Sequence, residues 1–291
     1  MEKQNKFVKD MTKGNPMQLL IQFSLPLLVG NIFQQLYNMV DSIIVGNFVG
    51  ANALGAIGTT NSLNFFFFSL VAGLSVGIGI IVAQYFGFGD EEKVKDAIGN
   101  SIWIITICSV IMAIIGFVTA RPILVLLDTD PVILNDAVAY LKVVSIGIVC
   151  VGFYNGVSGI LRALGDSKTP LIFLIVASVL NVILDLIFVL SFGWGVVGAG
   201  VATAFSQLIS ALACIIYAYK SNTYFKLKKK NIKLNGNIIK KSCKLGIPVA
   251  LQNSLIAFSL IVLQKVVNGY GATFTTAFTV SLNNVSMSFL S

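Results

Sequence analysis

"NIFQQLYNMVDSIIVGNFVG", residues 31–50, is an apolar run that holds a single acid, Asp41. A carboxylate near the middle of a membrane helix costs about 2.5–3.5 kcal/mol to insert. The composition decides whether the run lies in a membrane at all. Of 291 residues, 56% are hydrophobic and only 11% are charged, with a mean hydropathy of +0.88. Soluble domains carry about 25% charged residues. This chain has too little polar surface to face water on every side, so it reads as an all-α integral membrane protein. Its 26 Gly fit close helix packing in a bilayer.

Beyond this run, apolar windows of about 20 residues mark further spans. They fall at 17–45, 61–85, 98–120, 138–161, 170–191, 199–219 and 246–267, and an eighth begins near 274. The Lys-rich start resembles a signal peptide, but the apolar run continues past Pro26 without a small-residue cleavage site. It is read as a retained first span. Placing the N-terminus in the cytoplasm puts all but three of the 20 Lys and Arg on that side, including Lys3, Lys6, Lys9, Lys13, Lys93, Lys95, Arg162 and Lys168. Only Arg121, Lys142 and Lys265 fall outside. That asymmetry explains the net charge of +8 as topology in the cell membrane. No basic-aromatic module accompanies it, so nucleic acid is not an expected partner.

The polar stretch 220–245 reads as a basic cytoplasmic linker, solvated or touching anionic lipid. It separates an N-terminal lobe of six helices, 1–219, from the start of a second lobe, 246–291. A shift of 222 residues lays Pro26 on Pro248, Asn31 on Asn253, Val45 on Val267, Asn61 on Asn283 and Phe67 on Phe289. Parallel repeats of this kind build two-lobed transporters. The position matching Asp41 is Leu263, so the second copy lacks the acid.

Twelve acids are present, and only Asp41 and Asp185 lie within spans. Both fall near the outer ends of spans that run outward. Asn181 is one turn from Asp185, and Gln34 and Asn38 share a face with Asp41. Each acid could simply hydrogen-bond a neighbouring helix. An intramembrane ionisable residue is by default a functional hypothesis, however. Two carboxyls sharing a proton or a cation make a coupling device. Without a Walker motif or redox cofactor motif, an ion gradient is the expected energy source and no cofactor is expected.

Catalysis has little support. The chain has no His, its four Cys are scattered core residues, and no G-x-S-x-G occurs. "GFGD" at 87–90 is similar to an intramembrane aspartyl protease motif, but Asp90 opens a cytoplasmic loop and reads as a turn. The four Phe of "NFFFFSL", 64–70, point all round their helix, some to lipid and some to the bundle. Pro26 interrupts the first span and is a candidate hinge.

The segments "FSLPLLVGNIFQQLYNMVDSIIVGNFVGANALGAIG", "GLSVGIGIIVAQYFGFGDEEKVKDA", "NGVSGILRALGDSKTP", "LNVILDLIFV" and "LGIPVALQNSLI" together resemble the multidrug and toxic compound extrusion (MATE) family, over nearly the whole chain from about residue 16. The resemblance implies twelve helices in two six-helix lobes around a central cavity. It implies antiport of organic cations, drugs and dyes against H+ or Na+, as a monomer when full length. It assigns the cation site to Asp41, Asn181, Asp185 and Thr203, with Na+ at the first three. Gln34, Tyr37 and Asn155 match further polar positions, and Pro26 matches a proline proposed to bend the first helix. The chain departs from the family pattern by ending in helix eight, so it is expected to be a fragment or a truncated product. Two other readings stand beside this one. A lipid-linked precursor flippase would need basic residues in its cavity, whereas the in-span charges placed here are acidic. A non-transporting membrane protein, a protease or an assembly subunit, is the other.

Overall fold

The computed structural model describes residues 15–288, with side chains through Leu282. Lys3, Lys6, Lys9, Lys13, Phe289 and the Asn283 side chain lie outside that description. The helices are α1 (Pro16–Phe48), α2 (Ala51–Gly87), α3 (Glu91–Leu126), α4 (Pro131–Ala163), α5 (Lys168–Asp185), α6 (Gly195–Ser221), α7 (Gly236–Asn268) and α8 (Ala272–Ser288). Among the described residues, seven are long and apolar enough to cross a membrane, α1 to α7. The protein is a multi-pass membrane protein. At about 1.5 Å per residue its longer helices exceed a hydrocarbon core of about 30 Å, so they tilt or protrude.

Helices α2 and α4 form the hub, each burying half of its apolar span. Between them and α3 lies a core of Leu63, Phe67, Val71, Leu124, Ile133 and Leu141. Helix α1 is peripheral: Leu20, Ile21, Leu25 and Leu28 are exposed and suited to lipid. Pro26 and Pro248, paired by the sequence repeat, both sit inside helices.

Helix α7 lies along α2 on a seam of small side chains. Ser69, Gly73 and Gly77 of α2 face Ser242, Gly246, Ala250 and Ser254 of α7, all one turn apart. A Cβ at Gly73 would collide with the Ala250 backbone, and one at Gly77 with Ser242 and Gly246. Such spacing lets two backbones approach closely in lipid. Ser69 Oγ and Ser254 Oγ are 3.1 Å apart across the seam.

Several helices begin earlier than the hydropathy windows: α2 at Ala51 and α7 at Gly236. The missed part of α2, "ANALGAIGTT", is rich in small and polar residues, yet Gly55, Gly58, Thr59 and Thr60 are buried. Thr276 and Thr279 of α8 lie where a Cβ on Gly55 or Gly58 would go. Close packing, not apolarity, buries this turn.

The basic segment 220–245 is not loose. Asn231 Nδ2 donates to Asp96 Oδ1 at 2.7 Å, Asn235 N donates to Asn100 Oδ1 at 2.8 Å, and Trp103 Nε1 donates to the Ile232 carbonyl at 2.9 Å. Lys230 pairs with Glu92 at 2.7 Å, which raises the Lys230 pKa. Lys226, Lys228 and Lys229 remain exposed. At the opposite end, Lys265 pairs with Asp128 at 3.3 Å, and Asn268 Nδ2 donates to the Leu127 carbonyl at 3.0 Å. Asp90 caps α3 by accepting from Lys93 N at 3.1 Å, with Gly89 at φ 72° ahead of it, so "GFGD" is a turn.

Candidate ion and substrate site

Helix α1 delivers Gln34, Tyr37, Asn38 and Asp41 toward α2, α4 and α6, and α5 delivers Asn181 and Asp185. Asp41 is 8% exposed, Asn181 1% and Asp185 0%. The two carboxyls are close enough for direct side-chain interaction. Asn181 Nδ2 donates to Thr203 Oγ1 of α6 at 3.4 Å. Asp41 Oδ1, Asn181 Oδ1 and both Asp185 carboxyl oxygens are buried with no hydrogen-bond partner among the described residues. Unsatisfied buried acceptors are costly. Four in one neighbourhood leave room for what an acceptor wants, a proton or a hard cation.

Asp185 ends the α-helical part of α5, and Leu186–Ser191 continue as a π-helix. A π turn inside a helix re-aims its side chains and recurs at functional sites. Nothing in "LDLIFVLS" announces it.

Two cavities meet here. One, of about 230 Å³, is lined by Tyr37, Asn38, Asp41, Asn61, Tyr140 and Thr203. The other, of about 290 Å³, runs between α1, α2, α4, α5 and α6, and its lining includes Pro26, Gln34, Tyr37, Asn155, Thr203 and Gln207. Tyr37 and Thr203 line both. Asn155 lies deep in the larger cavity, its Nδ2 donating to the Val151 carbonyl at 2.9 Å, apart from the acids. Phe65 and Phe68 of the Phe run line it too, while Phe67 is in the core.

The sequence reading overlooked Tyr140, Asn64, Gln207 and Arg162. Gln207 was findable, one turn after Thr203 in the same span. Arg162, counted among the cytoplasmic basic residues, is in the last turn of α4 and lines the larger cavity. The charges placed within spans from the sequence are acidic, but the cavity reaches past the span and takes in a basic side chain at the helix end.

Residues 26–187, more than half of the chain, match the family model described as MatE. The chain belongs to the MatE family. This MatE chain is 34% identical over 263 residues to the probable multidrug resistance protein YpnP of Bacillus subtilis (strain 168), aligning 90% of itself to 58% of that protein. Its fold superposes with a TM-score of 0.86 on a MOP-superfamily transporter from Pyrococcus furiosus, described as having a binding pocket of reverse polarity. It superposes equally, at 0.86, on the outward-facing conformation of a multidrug resistance MATE transporter. Each structural match is 27% identical and covers 98% of this chain and 63% of the other. The MatE chain thus spans less than two thirds of each of these relatives.

Proposed function

We propose that the protein exports organic cations and other xenobiotics in exchange for H+ or Na+, by alternating access. The observation that carries this is the group of unpaired buried oxygens on Asp41, Asn181 and Asp185, adjoining a cavity that shares Tyr37 and Thr203 with a larger one. A proton held between the two acids accounts for two of these oxygens, and Na+, which carboxylate, amide and hydroxyl oxygens suit as hard donors, would take several at once. The membrane potential drives such exchange by about 2.3 kcal/mol per charge per 100 mV. A drug cation and the coupling ion then compete for one negative environment. Phe65 and Phe68 offer flat apolar surface to an aromatic cargo. The relatives named for multidrug resistance support the same reading.

In this scheme residues 1–219 form the coupling lobe, 220–245 the linker and 246–291 the opening of a second lobe. The chain lies in the cell membrane as a monomer, its N-terminus cytoplasmic, and Pro26 is the hinge of α1. The test is dye efflux from vesicles holding the intact protein, with Na+ and pH gradients imposed separately. Asp41→Asn is expected to abolish gradient-driven efflux while leaving insertion intact. Normal export by that variant sinks the proposal.

One observation favours a second reading. Arg162 supplies the basic cavity group that a lipid-linked precursor flippase requires. Translocation of a lipid-linked sugar with no response to cationic dyes would establish it instead.

A further inference from the structure

Among the described residues, Arg162 is the only charged one lining the larger cavity. It also lines a second, apolar groove beside Phe23, Ala72, Val76 and Ile80, again the only charge there among the described residues. Among the described residues, no hydrogen bond or ion pair engages its guanidinium. The nearest acid in sequence, Asp166, is engaged by its own loop, Oδ1 accepting from Thr169 N at 2.9 Å and Oδ2 from Thr169 Oγ1 at 2.6 Å. The neighbouring Tyr154 hydroxyl donates to the Pro170 carbonyl at 2.8 Å. Arg162 thus lines the cavity with guanidinium N–H donors that no acceptor among the described residues engages.

The same cavity holds the opposite need elsewhere. Gln207 is 8% exposed, and its Oε1 has no partner among the described residues. Asn64 Oδ1 is in the same position. Both line the cavity and ask for donors. Donors unspent at one end and acceptors unspent along the wall describe a ligand with complementary ends.

We propose that Arg162 is an anion subsite and that the cavity prefers zwitterionic organic cargo, its carboxylate at Arg162 and its N–H or ammonium end at Asn64 and Gln207. This rests on the efflux reading above and narrows its substrate class. A guanidinium binds a carboxylate bidentately, with more geometric specificity than an ammonium provides. The alternative role for Arg162 is a helix-terminal cation that complements the α4 dipole at the membrane surface. That role is indifferent to what the cargo carries.

The experiment compares two xanthene dyes that share one ring system and its N–H groups: rhodamine 19, a zwitterion with a free carboxylate, and rhodamine 6G, its cationic ethyl ester. Binding to the intact purified protein in neutral phosphatidylcholine nanodiscs is read by fluorescence anisotropy. Arg162→Gln is expected to weaken rhodamine 19 by about tenfold or more, the scale of a lost charged hydrogen bond. Rhodamine 6G, which lacks the carboxylate, should change far less, and an unaltered unfolding temperature reports an intact fold. Arg162→Lys should restore part of the loss. Equal effects on both dyes, or none on either, overturn the subsite. If wild type binds rhodamine 6G but not rhodamine 19, the subsite falls and the efflux reading stands. If it binds neither, both fall. A lipid headgroup is the other source of such an anion. Adding phosphatidylglycerol should not displace rhodamine 19, and displacement in wild type but not in Arg162→Gln reassigns Arg162 to lipid.

Discussion

The α2–α7 seam and the α1–α5 face lie in one molecule and follow opposite rules. Along the seam the facing serines have partners: Ser69 Oγ and Ser254 Oγ lie 3.1 Å apart, and each is also within reach of a carbonyl of its own helix, Phe66 and Ala250, so one donates across the seam or both donate to backbone. Gly73, Gly77 and Gly246 leave no room for a Cβ. On the α1–α5 face, four buried oxygens have no partner among the described residues, and the helix carrying Asp185 leaves α geometry at that residue. The seam is closed by its own packing. The face carries a desolvation cost that a bound proton or cation would relieve. A membrane helix can be held by close packing or can hold a ligand, and here the two tasks fall to different helices.

The sharpest way to break the contrast is at Asp185. Asp185→Asn is expected to reduce gradient-driven efflux to background while the thermal unfolding temperature in detergent stays level or rises, because a buried unpaired carboxyl contributes cost, not cohesion. A clear fall in that temperature would make the acid structural and erase the distinction. Next in size is Gly77→Leu, which forces a branched side chain into the Ser242 and Gly246 backbone. It should lower stability by about 3 kcal/mol or more and reduce the yield of folded protein. Unchanged stability would show that the seam is not tight. Smallest is Ser69→Ala or Ser254→Ala, expected to cost about 0.6 kcal/mol each by chemical denaturation, with efflux unaffected.

The spans and the acid pair were legible because hydropathy is a property of single residues, and a charge in an apolar run stands out without knowledge of its neighbours. What escaped is set by pairs. The start of α2 is buried by Thr276 and Thr279, residues more than two hundred positions away. The linker reads as solvated because its Asn and Lys are polar. Asn231 and Asn235 are nonetheless bound to Asp96 and Asn100, acceptors that only the fold brings near. The role of Arg162 in a cavity escaped for a related reason: counting basic residues gives a side of the membrane, while the cavity that takes in the helix end is made by several helices together. The π turn after Asp185 has no compositional mark, since its residues are those of any apolar helix.

Tyr37 and Thr203 each belong to two cavities at once. A ligand that shifts either side chain in one cavity alters the wall of the other, and linkage makes such influence mutual. Whatever factor a bound ion imposes on the affinity for cargo, the cargo must impose the same factor on the affinity for the ion. Measuring the ion's effect on dye binding thus yields the dye's effect on ion binding without observing the ion at all.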